Sequence, residues 1–202
     1  MLTHPKCLFV VLQLSFVCLS RAVEYEFLLE KDGLMAPCEN HPGNPSGLDA
    51  LFDMSILNIT QKTESTLQLT GDTVIVWQDV EPSDTITLFG QIYQFEQGNW
   101  QKTMFSASSK DFCKNMFEKN QYWYKFWTQN IINSKDVRKT CINTRGSLVK
   151  HESFDLVLKA SVNVPNLGGR YKLVVLFEAF DKRNVKRPVS ICSEFRGIIR
   201  RV

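Results

Sequence analysis

From Phe154 to Val164 every second residue is apolar: Phe154, Leu156, Leu158, Ala160, Val162 and Val164. Successive side chains of a strand point to opposite sides, so this period of two predicts an extended segment with one apolar face. Pro165-Asn166-Leu167-Gly168-Gly169 closes it with turn residues, and Arg170–Phe180 follows as the partner strand. That partner is apolar on both faces near Val174–Phe177, which places it in the middle of a sheet. Val23–Leu29 alternates too, with Val23, Tyr25 and Phe27 opposite Glu24 and Glu26. Residues 32–47 are rich in proline and glycine and read as a loop. Leu51–Thr60 reads as a strand with Phe52, Met54 and Ile56 in step; the change of phase to Leu57 and Ile59 predicts a bulge. Thr66–Leu69 and Thr73–Trp77 flank Gly71-Asp72 and fit either one kinked strand or a hairpin. Thr85–Phe95, with Ile86, Leu88 and Ile92 recurring, and Val189–Ile199 complete the set. About seven to eight strands at this spacing predict a single all-β domain over residues 23–202, a β-sandwich or β-cup around an apolar cavity.

The exception is Lys110–Cys141, which reads as a helical insert. Seven of the sixteen residues from Phe112 to Trp127 are aromatic. Ser108 or Ser109 is the expected N-cap, with Asp111 in the first turn, where a helix favours negative charge. At 100° per residue Phe112, Met116, Trp123 and Trp127 share one side, together with the polar Lys119 and Asn120. This conflict predicts a break at Lys119-Asn120-Gln121 and two short helices. Their aromatics either plug one end of the sheets or, with Phe117, Trp77, Trp100 and Phe89, form the wall of a ligand cavity; we expect the wall, a helical lid over the mouth of a β-cup with Phe112, Met116, Trp123 and Trp127 facing the cavity. A solid cluster of rings favours the plug, and a void of several hundred cubic ångströms beside them favours the wall.

Residues 1–22 read as a secretory signal: Lys6, then the thirteen-residue Cys7–Leu19 with only Gln13 and Ser15 polar, then Ser20-Arg21-Ala22. That run is too short to span a bilayer, and no other stretch approaches the length required. Cleavage would remove Cys7 and Cys18, leaving Cys38, Cys113, Cys141 and Cys192 for two disulfides in an oxidising compartment. Of the three possible pairings we expect Cys113–Cys141, which closes the insert, and Cys38–Cys192, which ties the chain ends. Chain-entropy arguments assign them about 3.5 and about 5 kcal/mol as upper values. Asn58-Ile59-Thr60 is a glycosylation sequon, so Asn58 is expected to face solvent.

Loss of Lys6 and Arg21, with no acid, lowers the net charge from +3 to +1, which gives no argument for a nucleic-acid partner. Lys182–Val202 is locally basic, a solvated face or a contact with an anionic surface. No cysteines lie at metal-ligand spacing, so neither a metal nor another cofactor is expected. The chain has no G-x-S-x-G, no H-E-x-x-H, no phosphate-binding glycine loop and no dinucleotide fingerprint. His41 and His151 are far apart in sequence, and no nucleophile–base set stands out, so an enzyme is not expected.

Trp100, Asp111-Phe112-Cys113, Met116, Trp123, Trp127, Cys141, Gly146 and the Pro165…Gly169-Arg170-Tyr171 turn occur in an order that resembles the insect chemosensory protein B group. That group is related to the ganglioside activator protein within the lipid-recognition β-cup superfamily. The resemblance spans most of the chain after the leader and is strongest from Trp100 to Phe180. It implies an extracellular β-cup holding a lipid, hydrocarbon or pheromone-like molecule. It also implies a role in gustatory or contact-pheromone detection, with a sensory ion channel as partner. The activator's bridges map onto Cys38–Cys192 and Cys113–Cys141, but its additional cysteines are missing here. The alternative reading is an extracellular interaction module, a receptor or channel accessory with a filled core that makes contact through Lys182–Arg187.

Overall fold

A computed structural model describes residues 22–202; the expected leader, residues 1–22, lies outside them except for Ala22. The strands are β1 (Val23–Leu29), β2 (Ala36–Pro37), β3 (Phe52–Asp53), β4 (Leu57–Thr63), β5 (Thr66–Ile75) and β6 (Thr85–Glu96), followed by β7 (Asn99–Ser109), β8 (Leu148–Val157), β9 (Lys159–Val162), β10 (Gly169–Phe180) and β11 (Ile191–Arg201). Three short helices, α1 (Phe112–Asn115), α2 (Tyr122–Phe126) and α3 (Ser134–Thr140), lie between β7 and β8. The class is all-β with a small helical insert, its curled antiparallel sheets forming a half-barrel. The larger sheet runs β7-β6-β10-β11-β1-β9, with β2 also on β11. The smaller has β5 in the middle, flanked by β3 and β4 and by β8.

The alternating stretch of residues 154–164 belongs to both sheets. Up to Val157 it pairs with β5, and from Lys159 it pairs with β1. Leu158 is the corner: its N–H donates to Ser65 O at 2.8 Å, and its carbonyl accepts from Phe27 N–H at 2.8 Å. Phe154 and Leu156 share the inner face of the small sheet with Leu69 and Leu67, and Ala160 pairs with the inward-facing Tyr25. The same parity faces inward on both sides of the corner, so the alternation passes through without a break.

Other segments depart from expectation for local reasons. The phase change at Leu57 is a turn between β3 and β4 rather than a bulge. Gly71, at φ +109°, lets β5 continue as one strand past the irregularity opposite it on β8. Gln97 and Gly98, both at positive φ, make the two-residue turn of the β6–β7 hairpin. That hairpin extends strand pairing through Ser109, so the helical cap moves from the expected serines to Asp111, whose Oδ1 accepts from Lys114 N–H at 3.2 Å. The insert does break at Lys119–Gln121, and a third helix, not foreseen, precedes Cys141. Both disulfides, Cys38–Cys192 and Cys113–Cys141, pair as expected.

The continuous core occupies the insert end of the half-barrel. It joins Leu51, Ile75, Trp77, Ile86, Leu88, Phe177 and Ile191 to Phe112, Met116, Val137 and Ile142. At roughly 25 cal/mol per Å² of apolar surface, each such side chain contributes about 1.5–3 kcal/mol. The basic C-terminal run is largely ion-paired: Lys186 with Glu178, Arg187 with Asp84, Arg196 with Glu39, and Arg200 with Glu26 and Glu64.

Candidate functional site

The insert aromatics pack on one another. The Phe112 ring stacks on Trp127 at 6.3 Å and meets Trp123 and Phe177 edge-on at 5.7 and 5.4 Å. Trp127 in turn meets Phe52 at 5.7 Å. Offset-stacked and edge-to-face pairs of this kind each add about 0.5–1.5 kcal/mol beyond burial. Indole N–H groups inside a core need acceptors. Trp123 donates to Asn115 O at 3.1 Å, Trp77 to Val189 O at 3.1 Å and Trp127 to His151 Nε2 at 3.0 Å. Phe117 lies under Arg138, whose guanidinium carbon is 4.3 Å from the ring centroid. Phe112, Met116, Phe117 and Trp77 are buried, so the insert is a plug whose inner rings are occupied by protein.

Trp100 and Phe89 are not part of this cluster. Phe89 is one residue out of phase with Ile86 and Leu88, so it lies on the convex face of the large sheet, 41% exposed. That phase was readable from the spacing of Ile86, Leu88 and Ile92. Trp100 pairs with Phe95 on the same convex face, where the rings meet at 5.1 Å. A hollow of about 470 Å³ borders the insert beside the Cys113–Cys141 bridge, but Pro82–Thr85, Asp111, Lys114, Arg138 and Lys139 line it, and none of the expected ligand residues does.

Below the plug the concave face of the large sheet changes character. The register places Gly90, Val175 and Ser193 on one rung, and Ile92, Leu173 and Phe195 on the next. Leu29 pairs with Gly197, and Phe27 with Ile199, further down the same face. Val175, Ile92, Leu173, Phe195, Leu29, Phe27 and Ile199 are all only half-buried. From the small sheet Leu57, Ile59, Phe154 and Leu156 present a second half-buried set on its inner face. The far end is shut by Tyr25 and Tyr171, both buried; the Tyr25 hydroxyl donates to Val164 O and accepts from Leu167 N–H. Burial pushes the Tyr171 phenol above its ordinary pKa, with Glu96 adding to the effect. Sequence reasoning missed this set because it favoured aromatic density in the insert; aliphatic alternation on β6, β10 and β11 was the available signal.

Among the polar contacts that join the plug to the cup, one involves a titratable side chain inside the core. His151, buried on β8, receives the Trp127 N–H on Nε2, so its own proton sits on Nδ1, where no well-aligned acceptor is found among the described residues. Burial holds its pKa below the usual histidine value, against the opposing pull of the Gly71 backbone and the Asp72 carboxylate. Among the described residues no group of three or more His, Cys, Asp or Glu side chains is arranged to hold a metal ion. No helix there is long and apolar enough to cross a membrane. No family model and no curated protein matches the chain.

Proposed function

We propose that the protein is a secreted, non-enzymatic carrier of a lipid, hydrocarbon or pheromone-like apolar molecule, held between the two sheets below the helical plug. The observation that carries this reading is the row of half-buried apolar residues Val175, Leu173, Ile92, Phe195, Leu29 and Phe27. It continues the face that is fully packed at the insert end. Half-covered aliphatic surface on a concave face gains by further covering: ten buried methylenes contribute about 8 kcal/mol gross. Association costs reduce this, and micromolar binding needs no polar anchor. The ligand would meet the aliphatic rungs, with the underside of the plug, reached through Trp123 and Trp127, as its ceiling. The resemblance to the chemosensory protein B group supplies the rest of the proposal: gustatory or contact-pheromone detection with a sensory ion channel as partner.

The test is extraction and native mass spectrometry of protein from a eukaryotic secretory host, followed by uptake of a fluorescent fatty probe and its displacement by long-chain hydrocarbons. Ile92→Trp and Val175→Glu, which fill or charge the rungs, are expected to abolish uptake. No copurified lipid and no probe uptake would overturn the reading. The mutual packing of Phe112, Trp123 and Trp127 favours a second reading, an interaction module with a filled core. That reading predicts a folded, lipid-free protein whose partner binding is lost on charge reversal at Lys182, Arg183 and Lys186.

A further inference from the structure

On the convex face of the large sheet, away from the proposed cleft, a hollow of about 240 Å³ combines aromatic rings with a buried ion pair. Trp100 and Tyr93 form its aromatic side. Lys172 and Glu194 lie at its base, joined Nζ to Oε1 at 2.7 Å. Glu194 is only 2% exposed, and among the described residues Lys172 is the sole hydrogen-bond donor to its carboxylate. The Lys172 ammonium sits 5.1 Å from the Trp100 ring centroid and 5.7 Å from that of Tyr93, beneath the aromatic surface. The opposite wall is Glu39-Asn40-His41-Pro42. The bridge from Cys38 to Cys192, two residues before Glu194, holds that wall in place.

Such a pair is not needed to stabilise the fold. A buried ion pair contributes little net stability, because desolvation offsets most of its attraction, and apolar residues of similar volume commonly serve as well. It does supply a fixed acceptor and a fixed donor side by side at the bottom of an aromatic-walled hollow. An ammonium has three N–H vectors and a carboxylate has several lone-pair positions, so one bond between them leaves capacity on both. A vicinal diol matches this arrangement: one hydroxyl accepts from Lys172 while its neighbour donates to Glu194. The C–H face of the ring carrying that diol lies on Trp100. An organic cation fits less well, because Lys172 already occupies the place where the aromatic rings and the carboxylate converge. An anion meets two carboxylates, Glu39 and Glu194. We propose that this hollow is a subsite for one sugar ring, separate from the apolar cleft and independent of whether the cleft binds lipid.

The experiment uses the full secreted chain and the methyl glycosides of glucose, galactose, mannose and N-acetylglucosamine. Binding is followed by saturation-transfer NMR and by tryptophan fluorescence. At least one glycoside is expected to saturate in the millimolar range, with magnetisation transfer strongest at the ring C–H protons. Trp100→Ala should remove that transfer, and Glu194→Gln, which keeps the shape, should weaken binding about tenfold or more. Urea-unfolding midpoints and slopes close to those of the parent protein would show that each variant is folded. The proposal is overturned if none of the glycosides binds, if binding survives Trp100→Ala, or if tetramethylammonium binds here and the glycosides do not.

Discussion

Protonation of His151 should loosen the plug, and the structure sets the size and sign of the effect. Trp127 Nε1 is a donor with no acceptor capacity, and it points at His151 Nε2 from 3.0 Å. A second proton on the imidazole would set two N–H groups against each other inside the core. The folded protein therefore holds His151 neutral, with its pKa below the ordinary 6.5 chiefly through burial. The unfolded chain, with the higher pKa, binds the proton first as pH falls. The contribution is thus fully present above about pH 6.5 and is lost as pH falls from there towards the folded value. Its slope is at most about 1.4 kcal/mol per pH unit for one proton. Carboxylates such as Glu26, held below 4.5 first by its hydrogen bond from Arg200, act further down the scale. That leaves a window from about pH 5 to 6.5 for the histidine. His151→Gln keeps an acceptor for Trp127 and removes the titration. Urea unfolding across this window should give a falling stability for the wild type and a flatter profile for the variant. Parallel profiles would refute the reasoning. His151→Leu, which leaves the buried Trp127 N–H unpaired, should cost about 1–3 kcal/mol at neutral pH.

Replacing Cys113 and Cys141 together by serine should lower stability by up to about 3.5 kcal/mol in urea titration, from the loop entropy of the 28-residue separation. The same substitution should leave the Cys38–Cys192 bridge intact by peptide mapping. Asp84 is nearly fully buried and accepts from Arg187 Nε and Nη2 at 2.8 and 2.9 Å. Asp84→Asn removes the buried carboxylate of this two-point pair and leaves Arg187 only the more distant Glu81 at 3.5 Å, so it should lower the denaturation midpoint. Burial alone would raise the pKa of Asp84, but the Arg187 and Glu81 hydrogen bonds hold it below 3.8, so this stability is present above that pH and is lost on acidification through the folded value. Asn58 is exposed on β4. Expression in a secretory host should give a glycosidase-sensitive mass shift that Asn58→Gln abolishes, without loss of stability.

Much of the strand content was legible because burial writes itself as a period of two. Val23–Leu29 is β1, and the Arg170–Phe180 reading matches β10 to within a residue. The β7 strand was missed because it is the edge of the sheet: Gln101, Lys102, Met104, Ser106 and Ser108 are exposed, so only Thr103, Phe105 and Ala107 carry a weak alternation. Phe112, Met116, Trp123 and Trp127 do share one cluster, but two short helices and the turn between them bring them together rather than one helix side. Spacing carries no information on whether rings that share a side meet each other or a void. Trp100 was misgrouped for a related reason, because its face is set by pairing with Phe95 across a hairpin rather than by local pattern.

Leu158 gives the half-barrel a shared clock. The same backbone run sets the register of the small sheet through Phe154 and Leu156, and that of the large sheet through Ala160 and Val162. An inserted or deleted residue near this corner would shift one sheet by a single step against the other. Every side chain on the shifted side would then exchange inside for outside. Loops elsewhere can lengthen without such a penalty, whereas the segment from Phe154 to Val162 can change its side chains but not its count.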